Sequence, residues 1–473
     1  MSVFAYGEAV RHLEQALRTQ EVLDPDDKTK RCDLLLALGE AMLPMEEPRR
    51  VADTVAAEAF AIAETMEDSH RAARAAVQAL EAFSRRQGGD TSIWRSGEFV
   101  EWAGRADRHA EDGTVERIYA DIAQFLQRVL YSGGPAARHV WLRRAVARAQ
   151  ELGDNAAFFA AAAWALSNLA PLRDRELVGN LAEAVIARPY EGARSRDLAQ
   201  CLYWAGVDLL RRGDRQGAER AWREEAQLAE RTRDVTLSVR AMQSPAVLAL
   251  IDGRLEEALA LLEAHQARAQ EVGVGLGAPT WHGRTLLLLG RASDLLGMLE
   301  DPARVIQAFR AVVLAHLGRA AEARKIREGF GDVGSDDDES SVSAVLLRLL
   351  ESSSLAHDED TTASLVRRLA PLATEIREGA SVGRLLGDGA ALLGRPDEAR
   401  AYYEQALDVC SRVRFRPEIA LIRLSLAELL LEHHPEQQAE AQDHLDFAIA
   451  EFREMKMQPA LERALGHKGL LKA

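Results

Sequence analysis

At 473 residues, 47% hydrophobic and 28% charged, the chain has a globular composition but is far too long for one compact core. Its formal charge is −15, with Lys and Arg dispersed among Asp and Glu, and this disfavours direct binding to a nucleic-acid backbone, which needs a basic stripe. Cys32, Cys201 and Cys410 are far apart and form no CxxC pair, which fits buried thiols in a reducing cytoplasm better than a disulfide framework.

From the amino terminus, Ala9, Leu13 and Ala16 carry the small-large-small face of a second repeat helix, with too few residues before them for its partner. An open apolar face with Phe4, Tyr6 and Leu13 is therefore expected, covered by another copy or by an upstream part of a longer protein. After the turn Asp24-Pro25-Asp26-Asp27, the spacing predicts helices over 28–43 and 49–66. The series continues over 69–86, 97–110, 114–131, 136–152, 155–169, 173–187, 195–212, 215–231, 235–251, 255–272, 278–289, 292–299, 302–317 and 320–328. Turns such as Gly133-Gly134-Pro135, Gly213-Asp214 and Asp252-Gly253 separate them. Ala156–Leu166 is the longest apolar run, too short to cross a bilayer, and reads as a helix packed on several sides. No signal-peptide pattern follows Met1, so a cytoplasmic location and no membrane partner are expected.

Residues 331–341 are acidic and polar, and are read as a solvated loop between solenoid segments 1–330 and 342–473; their spacing lacks the calcium-loop glycine and terminal Glu. Helices resume near Val342 and end with 417–431, 436–455 and a cap over 459–465. No run of alternating β-branched residues predicts a strand.

The most informative stretch is Gly387, Gly394, Ala399, Tyr403 and Ala406: a small residue mid-helix, a glycine at the turn, then Ala, aromatic and Ala on one face of the next helix. Related spacing recurs at Gly206, Gly213, Ala218 and Trp222, at Gly253 and Ala258, at Gly283 and Gly290, and at Gly318 and Ala323; Gly39 follows Leu38 in the same way. This is the tetratricopeptide pattern. It predicts an all-α fold, a right-handed superhelical solenoid of stacked antiparallel hairpins in which each unit touches its neighbours.

Chemistry is sparse. No Gly-Lys-Ser/Thr loop, HExxH or GxSxG string is present, Gly273–Gly277 has no strand before it, and His433-His434 sits at a helix end. Neither a cofactor nor a metal is expected. Counting three before and one after each motif glycine selects a concave binding face: Gln124, Arg128, Tyr203, Gln243, Arg284, Arg384 and Asp388, with Trp164 and Asn168 on a neighbouring first helix. Mixed polar and aromatic groups suit a protein segment or small-molecule ligand, and ordinary solvated positions are the plain alternative.

The strings Tyr6–Leu17, Asp33–Ala41 and Met457–Leu471 resemble the carboxy-terminal repeat region of large bacterial signalling proteins, in which a STAND-type ATPase precedes the repeats, joined to an adenylate cyclase or to a DNA-binding helix-turn-helix of the LuxR/MalT-like kind. The resemblance implies a sensor or scaffold that releases an upstream ATPase or effector from restraint. The chain itself carries none of those catalytic or DNA-binding motifs. The leading expectation is a non-enzymatic ligand- or protein-binding module of signalling or transcription regulation. A structural adaptor, self-associating through solenoid ends or the first helix, is the second, and an enzyme with a site assembled from distant residues is the third.

Overall fold

The computed structural model describes residues 3–43, 48–86, 91–128, 135–169, 172–273, 280–331 and 343–470. Gly133-Gly134, the 274–277 part of the glycine string and nearly all of the acidic loop lie outside them. The chain divides into two units, residues 1–169 with 189–198, and residues 170–188 with 199–473. Both are built of helical hairpins of the tetratricopeptide type. Residues 331–341 therefore fall inside the second unit, where Arg304–His316 packs directly on Ser343–Leu355 across them.

In the first unit, helices Lys28–Met42, Ser69–Arg86, Val115–Arg128 and Asn155–Asn168 pack each on the next, with Ala56–Thr65, Gly97–His109 and Pro135–Leu152 alternating between them. Local chemistry starts the helices. Asp27, Ser96 and Asp154 stand at N-caps, their side-chain oxygens accepting from Lys30, Phe99 and Ala157 backbone N–H groups. Alanines make close approach possible, since Ala72, Ala75, Ala76, Ala79 and Ala82 are buried together along one helix. The apolar run is packed on most sides: Phe158, Phe159 and Ala160–Ala163 are all buried, and Trp164 is partly exposed. Helix Val3–Leu23 is cruder, with Leu13 only half-buried and Val22 and Leu23 exposed.

In the second unit the same order recurs. Arg304–His316, Ser343–Leu355, Val382–Leu392 and Arg416–His433 pack in series, with Ala320–Glu328, Glu359–Leu369, Pro396–Val413 and Gln438–Met455 between them. The two motif copies are superposable in logic. A Cβ on Gly206 would lie 2.4 Å from the Trp222 ring, and one on Gly387 2.4 Å from the Tyr403 ring, so each glycine is the seat of the aromatic sixteen residues on. Ala218, Ala399 and Ala406 are fully buried beside them. The turn glycines Gly213, Gly290, Gly318 and Gly394 hold positive φ, as a hairpin between helices requires.

Four sequence expectations are corrected. A short antiparallel pair, Ile376–Arg377 with Ala380–Ser381, interrupts the helices; it turns through Glu378 and Gly379 at φ of 53° and 72°, the left-handed pair of a two-residue hairpin. Two residues per strand give no alternation to read. The expected helix 235–251 is two, Val235–Ala241 and Gln243–Ile251, and 292–299 is a 3-10 turn.

The fourth correction concerns neighbours. Hairpins here do not touch only the next in line. Val247, Leu250, Ile251 and Leu255 share one core with Val413, Phe415, Phe452, Met455 and Met457, more than 150 residues away. Polar contacts line the same seam: Lys456 Nζ lies 2.6 Å from Glu256, Arg215 donates to the Val413 carbonyl at 3.1 Å, and Arg416 to that of Asp252 at 3.4 Å. Gly253 is required by this closure as much as by its turn, because a Cβ there would fall 2.4 Å from Met455 Sδ.

Candidate functional site

Arg284 lies on helix Thr280–Leu288, which Gly283 seats against the Phe309 ring. Its guanidinium donates to both oxygens of Glu351, at 2.7 and 2.8 Å, and His316 Nε2 approaches the same carboxylate at 3.1 Å. Burial by itself would raise the Glu351 carboxyl, but Arg284 and His316 outweigh it and hold it well below the usual carboxylate range. One turn earlier on the Glu351 helix, Arg348 donates to Glu378 at 2.9 Å, Thr280 at 2.8 Å and the Val305 carbonyl at 2.7 Å. The hairpin tip thus enters the polar row directly: Glu378 gives its carboxylate to Arg348 and its carbonyl to Arg284 Nε at 3.4 Å.

The next segment repeats the device. Arg384 grips Glu418 through Nε and Nη2, at 2.8 and 2.9 Å, and reaches Asp388 at 3.0 Å. Asp388 also accepts from the Tyr403 hydroxyl at 2.8 Å and from Ser425 at 3.0 Å. Burial, then the Asp388 charge, push the Tyr403 phenol well above its ordinary range. The Glu418 carboxylate closes the set by accepting from the Ser381 backbone N–H at 2.9 Å.

The sequence selected Arg284, Arg384 and Asp388 as groove-facing, and the structure brings them into one polar row. The groove-facing expectation is corrected for the two arginines. Both guanidiniums are buried and committed to carboxylates, because the inner face of each first helix packs on the next first helix and, around Arg284, on the 376–381 hairpin. Tyr203 is likewise buried, packing on Trp204 and Trp222. Gln243 is partly exposed and meets His265 at 3.3 Å.

In the first unit, Gln124 is buried and donates to the Ala103 carbonyl at 3.2 Å, a further correction. Arg128 is half-exposed; it donates to the Gln124 carbonyl at 2.8 Å and lies 5.2 Å from the Trp141 ring centre. Trp164 is partly exposed, edge-on to Trp94, and Asn168 donates back to the Trp164 carbonyl at 3.0 Å.

Sequence reasoning missed Glu351, Glu418, Arg348 and Glu378, which complete the polar row. It also missed Glu225, whose two carboxyl oxygens are buried without a hydrogen-bond partner and whose pKa is raised by burial to about 8, weakly opposed by Arg240. The three cysteines are buried and outside any disulfide, and burial pushes Cys32 up to about 11. Among the described residues no cluster of His, Cys, Asp and Glu is placed to hold a metal, and no helix is long and apolar enough to cross a membrane.

No protein-family model matches the chain, and no curated protein matches it. Among solved structures it is similar to a chain of the APC/C hetero-tetramer Cut9-Hcn1, at 13% identity over 95% of this chain and 86% of that one, with a TM-score of 0.49. It is also similar to a circular tandem repeat protein with novel repeat topology and enhanced subunit contact surfaces, at 15% identity over 98% and 91% of the two chains, with a TM-score of 0.14.

Proposed function

We propose that this chain is a non-catalytic binding module that receives a protein segment or a small ligand and regulates a signalling or transcription effector, as the resemblance to repeat regions downstream of STAND-type ATPases implies. The supporting observation is the continuous layer of first helices: 28–42 on 69–86 on 115–128 on 155–168 in one unit, and the series from 304–316 to 416–433 in the other. Side-by-side helices present evenly spaced faces along which an extended segment can lie. Arg128, Trp164, Asn168, Gln243 and Asp388 retain partial exposure and are the sequence-selected residues such a segment would meet.

Selection of displayed peptides on the full chain, followed by hydrogen exchange of the complex, tests this. Protection on the first helices near Arg128, Trp164 or Gln243 supports it. No selectable peptide, or protection confined elsewhere, overturns it.

The adaptor reading keeps one observation of its own. Helix Val3–Leu23 leaves Val22 and Leu23 about three-quarters exposed in its last turn, at 78% and 76%, an apolar end suited to self-association. Light scattering with and without Val22→Glu separates the readings, since only the adaptor loses an oligomer.

A further inference from the structure

Asp121, on helix Val115–Arg128, has no exposed surface and is met by three arginines. Arg117 donates to it at 3.0 Å and also to Asp107 at 2.6 Å. Arg148 pairs with it and with Asp112, the latter at 2.5 Å. Those two guanidiniums are thus shared among three carboxylates, Asp107, Asp112 and Asp121. Arg144 is left with a single contact, Nε at 4.0 Å from Asp121, and no hydrogen bond to any described residue. Its side chain is 44% exposed and its guanidinium lies 4.7 Å from the centre of the Trp141 ring, over which Arg128 also lies.

Resting on the segment-binding reading above, we propose that this face of the 115–152 hairpin binds an acidic peptide segment, a carboxylate bridging to the free fork of Arg144 and apolar atoms resting on the partly exposed Trp141. The chemistry is specific to this spot. The aromatic ring orders the guanidinium in advance, so less side-chain freedom is lost when a carboxylate docks bidentately. Residues 115–152 carry six arginines against three carboxylates, Glu116, Asp121 and Glu151, a surplus that stands out in a chain of net charge −15 and complements an acidic partner. A nucleic acid is the poorer fit, because the surplus covers one hairpin and forms no extended stripe to follow a phosphate backbone.

Fluorescence anisotropy of the full chain at low salt, with a fluorescein-labelled glutamate-rich decapeptide, its glutamine counterpart and a single-stranded oligothymidylate, tests the proposal. The expected result is binding of the glutamate peptide alone, weakened by salt and about tenfold by Arg144→Glu, with Arg144→Lys intermediate. A circular-dichroism melt of each variant matching the parent shows that the fold is intact. Binding of the glutamate peptide unchanged by Arg144→Glu overturns this site while leaving the segment-binding reading standing. Preference for the oligothymidylate, or equal binding of the glutamine peptide, overturns the acidic-partner assignment. Absence of any glutamate-peptide binding overturns it too, and the displayed-peptide selection then decides the broader reading.

Discussion

Trp222 stands directly over Gly206, as Tyr403 does over Gly387 at the same sixteen-residue separation, and each ring tip is held by a hydrogen bond. The Trp222 indole N–H donates to the Tyr203 carbonyl at 3.1 Å, and the Tyr403 hydroxyl to Asp388 at 2.8 Å. Small and large residues are therefore one interlocked unit in each hairpin.

That relationship makes the glycines as sensitive as the rings. Gly387→Ala places a methyl 2.4 Å from the Tyr403 ring and is expected to cost about 1–3 kcal/mol by overpacking. Tyr403→Ala is expected to cost about 3–5 kcal/mol, and Tyr403→Phe about 1–3 kcal/mol through the lost hydroxyl bond. Urea titrations rank them, and a Gly387→Ala midpoint equal to the parent's would refute the interlock.

The Arg284 and Glu351 pair behaves as a buried unit. Arg284→Met alone strands the carboxylate and is expected to cost about 3–5 kcal/mol, whereas Arg284→Met with Glu351→Leu recovers most of the loss. A double-mutant cycle in thermal unfolding checks this; additive single effects would show the two groups uncoupled.

Glu225 introduces a pH dependence of defined sign. Its folded pKa, about 8, lies above the ordinary value of 4.5, so the unfolded chain gives up this proton first as pH rises. The stability linked to Glu225 is complete below about pH 4.5, declines by about 1.4 kcal/mol per unit above it, and is gone beyond about pH 8. Glu225→Gln lacks that decline. Urea midpoints of the two proteins between pH 5 and 8 should diverge in the variant's favour as pH rises, and parallel curves would contradict the burial argument.

Much of the hairpin grammar was readable because it is local. Gly206, Gly387 and their aromatic partners sit within one helix-turn-helix, where packing dictates residue size at fixed spacing. The site was less legible. Counting from the motif glycine selects Tyr203, Arg284 and Arg384 as groove-facing, yet all three are buried, because whether such a position meets a groove or another element depends on partners far along the chain. Glu351 and Glu418 look like surface acids until their arginines are placed beside them. The 376–381 hairpin is too short for a period, and the packing of Gly253 on Met455 joins residues that no local pattern connects.

That long-range closure of the second unit, which joins hairpins far apart in the stack, is open to direct measurement. Lys456 and Glu256 are exposed and 2.6 Å apart, while Lys468 and Asp446 pair between successive helices and serve as a local control. Zero-length carbodiimide cross-linking of the native chain, read by mass spectrometry, is predicted to yield both isopeptides, with the Lys456–Glu256 link abolished in urea. Recovery of the Lys468–Asp446 link without the Lys456–Glu256 link would contradict the account.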